Sequence, residues 1–116
     1  QMELPDLQRI LNRPGGLLGE IPVGAYGENQ VNTEAVQTLG STVGVGAGAH
    51  VDADTVYQIT RAFWEGAEAA RASTPWLRQV TIEAALTDLN LPLHPGAARY
   101  YRELGIEIPA ELDPGE

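Results

Sequence analysis

From Asp54 to Ser73 the apolar residues Val56, Ile59, Phe63, Ala67 and Ala70 recur at steps of three and four, and this stretch narrows the possible folds most. Such spacing lines one face of a helix, while Glu65, Glu68 and Arg71 fall on other faces. Asp52 stands at the N-cap position, Asp54 lies in the positive first turn, and Pro75 follows just beyond the end. The spacing therefore predicts the longest helix over 54–73, with Phe63 on its buried face. A chain carrying a helix of this length needs a surface to bury it against, so the flanking segments matter.

Upstream, Leu4, Leu7, Ile10 and Leu11 predict a short helix with Asp6 near its start, stopped by Pro14-Gly15-Gly16. Leu17 to Ile21 then reads as a short extended piece. Pro22 to Thr33 is a loop by composition, with Gly24, Gly27, Asn29, Asn32 and one aromatic, Tyr26. Ala35 to Ala49 is rich in β-branched residues and predicts a strand interrupted near Gly40. Downstream, Thr81 and Glu83 mark the start of a helix over 82–89. Pro95 opens a final helix that Gly105 ends. The acidic, proline-containing tail from Pro109 to Glu116 is expected to fray.

The order helix, strand, strand and then three helices predicts an α/β fold, helix-rich with two or three short strands. So few strands cannot cover so many helical faces, which points to a larger sheet whose other strands lie outside these residues.

Sixteen acids against seven bases give a formal net charge of -9, and all seven bases are Arg. That balance repels phosphate backbones and anionic membranes, so nucleic acid is not an expected partner. Without Lys there is neither a Walker-type phosphate loop nor a Schiff-base lysine; without Cys there is no disulfide, thiolate metal site or cysteine nucleophile. The longest uncharged run, Ala35 to Val51, holds 17 residues with Gly40, Gly44, Gly46 and Gly48 among them, too short and too polar for a bilayer. Gln1 to Ile10 carries three charges and no apolar core, so it does not read as a signal peptide.

Motifs for chemistry are sparse. Gly44-Val45-Gly46-Ala47-Gly48 brings its third glycine one residue too early for a dinucleotide turn. Leu39 stands where a nucleophile elbow around Ser41 would need Gly. His50 and His94 are acid, base or metal-ligand candidates, and Asp52 and Asp54 lie near the first. Their simpler reading is structural: His50 as a loop residue before a capped helix, His94 as a turn or capping residue before Pro95. No catalytic residue, metal ligand or cofactor is assigned. The loop Ile21-Pro22-Val23-Gly24-Ala25-Tyr26-Gly27 is different, because an aromatic between glycines suits a backbone that approaches a ligand closely.

Three segments together carry a resemblance. They are Ile21-Pro22-Val23-Gly24-Ala25-Tyr26; Val36-Gln37-Thr38-Leu39-Gly40 followed by Val56 to Phe63; and Pro92-Leu93-His94-Pro95-Gly96-Ala97 with Tyr100-Tyr101, Glu103 and Gly105. In order and spacing they resemble the C-terminal portion of solute receptors of the TAXI branch of TRAP transporters. Gly27 to Gln30 departs from that family's wording after the tyrosine, and Ser41 to Ala49 is richer in glycine than its strand.

The resemblance implies the C-terminal part of a two-lobed periplasmic binding protein, type II-like. Residues 1–50 would then form the end of the second lobe and the crossover strands, and 51–116 the helical return to the first lobe. It implies capture of a small-molecule solute, an organic acid or amino acid, in the periplasm, with delivery to a TRAP membrane permease subunit. The N-terminal lobe and any signal would lie upstream. In that reading Tyr26 lines the cleft, Thr38 donates a hydrogen bond to the ligand, and no covalent chemistry occurs. An incomplete lobe could also pair with a second copy as a homo-oligomer. Two other classes compete: a hydrolase or metal enzyme using His50 and His94, and a protein-interaction domain without solute. Metal content and pH-rate behaviour separate the first from a receptor; a protein partner without solute binding identifies the second.

Overall fold

The computed structural model describes residues 3–13 and 15–115. Its contacts divide the chain into two compact units, Gln1–Val43 and Gly44–Glu116. Each is built in its own way.

The first unit opens with α1, Leu4–Leu11. Pro5 sits in its first turn, where the missing amide hydrogen costs nothing, and Asp6 and Arg9 lie at the helix ends that favour their charges. Leu7 is the buried anchor of this helix. The predicted stop falls partly on Pro14, which lies outside the described residues. Gly15 beside it adopts a φ of 81°, a conformation suited to glycine. Two strands follow, β1 (Leu17–Ile21) and β2 (Val36–Gly40), paired antiparallel with Leu17 opposite Gly40 and Ile21 opposite Val36. One face, carrying Leu17, Gly19 and Ile21 beside Val36, Thr38 and Gly40, is half-buried; α1 packs on this pair. β2 stops at Gly40, and residues 41–48 form no strand. Sequence placed a longer, interrupted strand there. β-branched residues alone do not hold a strand when no neighbour supplies backbone partners.

The second unit is built on α2, Ala53–Ala70, and α3, Pro95–Glu103. Asp52 caps α2 through both carboxylate oxygens, taking the Thr55 amide at 2.9 Å and its hydroxyl at 2.5 Å. The helix is shorter at its end than expected, and Pro75 does not merely follow it: it opens a 3₁₀ turn over Pro75–Gln79 with Leu77 buried. The guanidinium of Arg71 reaches from the end of α2 to the Val80 carbonyl at 3.1 Å, holding the return of the chain.

The buried face of α2 differs from the expected one. Phe63 is 46% exposed, while Val56, Tyr57, Trp64 and Ala67 are buried. The buried face is turned from the expected one because the two large amphipathic rings, Tyr57 and Trp64, find partners on α3 that Phe63 and Ile59 lack. Tyr57, Trp64, Tyr100 and Tyr101 form the core cluster, with Val80, Ile82, Leu86 and Leu93 against it. The buried indole of Trp64 donates to the Tyr101 hydroxyl at 3.1 Å.

The helix expected over 82–89 is instead a run of turns. Thr81 does accept the Ala84 amide at 3.3 Å, as a cap would, yet the backbone bonds that follow span only three residues. Asp88 takes a φ of 58°, which ends any helical path. Seven or eight residues cannot offset the cost of nucleation unless packing dictates the helix.

α3 begins as predicted. His94 is its N-cap, its Nδ1 accepting the Gly96 amide at 3.2 Å, and Pro95 occupies the first turn. Gly96 sits where α3 touches α2: a Cβ there would lie 2.8 Å from the Tyr57 amide nitrogen and 2.9 Å from Val56 Cβ. Only a glycine allows that approach. The tail does not fray over its described residues. Leu112 is 3% exposed, its carbonyl accepts the Leu93 amide at 2.8 Å, and Asp113 pairs with Arg102 at 2.6 Å. No helix among the described residues is long and apolar enough to cross a membrane.

Candidate functional site

Tyr26 lies in the connection between β1 and β2, and the local sequence explains how it is displayed. Pro22 leads a succession of tight turns: Ala25 donates to the Pro22 carbonyl at 3.3 Å, Gly27 to Gly24 at 3.1 Å and Gln30 to Gly27 at 3.2 Å. Gly24 and Gly27 have φ of 78° and 84°, so both positions need glycine's freedom. The side chain of Gln30 then crosses the loop. Its Oε1 accepts the Tyr26 amide at 2.8 Å and its Nε2 donates to the Pro22 carbonyl, also at 2.8 Å. Tyr26 ends up 76% exposed.

Thr38 stands on the half-buried face of β2, paired with Gly19. Tyr26 and Thr38 thus belong to the same unit, and among the described residues no hydrogen bond joins them. An exposed ring with a hydroxyl tip and a half-buried hydroxyl can supply packing and orientation to a small molecule.

The two histidines lie in the other unit. His50 is exposed in the turn before α2, its ring folded over Gly48. His94 spends Nδ1 on the α3 cap, and its Nε2 is buried without a hydrogen-bond partner among the described residues. Among those residues no group of three His, Asp or Glu side chains is gathered to hold a metal ion.

An open notch of about 300 Å³ lies between α2 and α3, lined by Tyr57, Arg61, Glu65, Tyr100, Glu103 and Leu104. Its polar groups serve one another. The Tyr57 hydroxyl donates to Glu103 at 2.6 Å, and that bond, with some burial, raises the phenol above its ordinary range. Arg61 pairs with Glu65 at 2.8 Å, which raises the guanidinium further. Arg99 lies over the Tyr57 ring at 4.4 Å and also holds Asp54 at 2.6 Å. This seam fastens the two helices. No local pattern announces it, since Tyr57 and Glu103 stand 46 positions apart. Gln30 was likewise missed: a polar amide in a polar loop has no pattern that announces two backbone bonds.

No solved structure matches the chain. A protein family does. Residues 8–105 match the NMT1-like family, whose members are periplasmic-binding-protein-like, related to solute receptors, typically extracytoplasmic, and binding proteins instead of enzymes. The match runs from within α1 to the glycine that follows α3, and on it the chain belongs to the NMT1-like family.

Proposed function

We propose that this chain is the C-terminal portion of a TAXI-type solute receptor serving a TRAP transporter, and that it captures an organic acid or an amino acid in the periplasm. The observation that carries this reading is the family match over residues 8–105, which takes in both strands and both long elements of the helical unit. The three motif segments around Tyr26, Thr38 and His94 favour the TAXI branch within that wider family. Residues 1–50 are assigned to the end of the second lobe and 51–116 to the return toward the first. Tyr26 contributes an apolar ring with a polar tip to the cleft wall, and Thr38 a hydroxyl that orients the solute. Delivery is to a membrane permease, and capture involves no covalent step.

Isothermal titration of the receptor against a panel of L-amino acids and small dicarboxylates tests the proposal. Saturable binding of one class, with hydrolytic activity absent, is the expected result. No binding across the panel together with a metal-dependent turnover that His50→Ala abolishes would overturn it in favour of an enzyme.

A further inference from the structure

The loop that presents Tyr26 is exposed, yet one side chain closes it on itself. A single primary amide at Gln30 takes the Tyr26 N–H on its oxygen and gives its own N–H to the Pro22 carbonyl, both at 2.8 Å. The two bonds tie the residue at the tip and the residue at the start of the loop to the residue at its end. We infer that Gln30 is a positioning residue, whose side-chain amide holds the Pro22–Gln30 loop in the shape that displays the Tyr26 ring before any solute arrives.

The chemistry of the bridge selects glutamine. One partner is a backbone donor and the other a backbone acceptor, so the bridging group needs an oxygen and an N–H₂ side by side. Glutamate supplies acceptors only and would set a carboxylate against the Pro22 carbonyl. Asparagine has the same groups on a stem one methylene shorter. Methionine matches the length and supplies neither bond. The orientation of the amide follows from its partners, since the reversed one would oppose donor to donor and acceptor to acceptor.

The backbone turns do not make the staple redundant. The three turn bonds join neighbours within the loop, and the one from Ala25 to Pro22 is long at 3.3 Å. None of them engages the Tyr26 amide, which Gln30 alone satisfies among the described residues. At 76% exposure the ring itself has little around it to fix its direction, so its placement is set through the backbone that carries it. A binding group held in place beforehand loses less freedom when the ligand arrives. In functional terms Gln30 acts through Tyr26 and need not touch the solute. This rests on the proposal that Tyr26 lines the site, and the test separates the two.

Amide hydrogen exchange at Tyr26, followed by NMR without solute, reads the staple directly. Gln30→Met should speed exchange there by roughly tenfold or more. Gln30→Glu, which keeps the acceptor and loses the donor, should fall between Gln30→Met and the parent protein. Equal exchange in Gln30→Met and the parent overturns the staple. Titration of the receptor with L-glutamate and succinate, one amino acid and one organic acid, then reads function. Tyr26→Ala should weaken binding by roughly tenfold or more and Gln30→Met by roughly three- to tenfold, each with an unchanged melting temperature. A weakened Tyr26→Ala beside an unaffected Gln30→Met overturns the positioning role alone. Unchanged binding in Tyr26→Ala removes Tyr26 from the site and, with it, any role for Gln30 in capture.

Discussion

Adjacent residues on α2 divide the work of the helix unequally. Trp64 is 8% exposed, stands edge-on to Phe63 at 5.1 Å, and gives its indole hydrogen to Tyr101. Phe63, one position earlier, faces outward for nearly half of its surface. Trp64→Ala should therefore cost about 3–5 kcal/mol, combining lost burial with the cavity left behind. Phe63→Ala should cost less than about 1 kcal/mol. Urea unfolding of the two variants checks the ranking, and equal losses would contradict it. The sequence pointed to the opposite residue. α2 is apolar on more than one face, so periodicity alone could not tell which face the three tyrosines and Trp64 would claim. That choice depends on where α3 lands, and α3 can approach only because Gly96 carries no side chain.

Helix ends were far more legible than helix faces. α1 and α3 fall close to the expected spans because their limits are written in local chemistry: Pro95 and the His94 cap at one end, Gly105 with its φ of 76° at the other. The segment 82–89 had a cap and lays Ile82 and Leu86 on the core, but it does so as a set of turns that the positive φ of Asp88 brings to an end. The candidate loop was legible as a loop from its glycines, whereas its staple was not. The N-cap of α2 yields a pH prediction. Hydrogen bonds from the Thr55 side chain and amide hold the Asp52 carboxyl below the ordinary aspartate range, and the Arg102 and Gly115 hydrogen bonds do the same for Asp113. A carboxyl depressed on folding stabilises the native state above its unfolded pKa and loses that contribution as pH falls through its lower folded pKa. Urea midpoints measured from about pH 5 down to about pH 2 should fall more steeply for the parent than for Asp52→Asn/Asp113→Asn. Parallel curves would mean that neither carboxyl is linked to folding.

At the scale of the molecule, the described part of the tail belongs to the structure of the helical unit. Leu112 is buried at 3%, and its backbone ties down Leu93 ahead of α3. Leu112→Ala should cost about 2–5 kcal/mol, read from the urea midpoint; a loss below about 0.5 kcal/mol would mean that the tail is only laid against the surface. The uncharged segment that follows β2 has a different consequence. Every residue from 41 to 50 is exposed, with Val43 at 92% and Val45 at 88%, and the border between the two units falls inside it. Trypsin has nothing to cut there, since the chain has no Lys and no Arg between Arg13 and Arg61. A protease whose pocket takes small aliphatic side chains meets a ready substrate at Val43 and Val45. Survival of this protein in a protease-bearing compartment thus turns on the kind of protease present, and one cut of the elastase type would part the loop bearing Tyr26 from the helical unit.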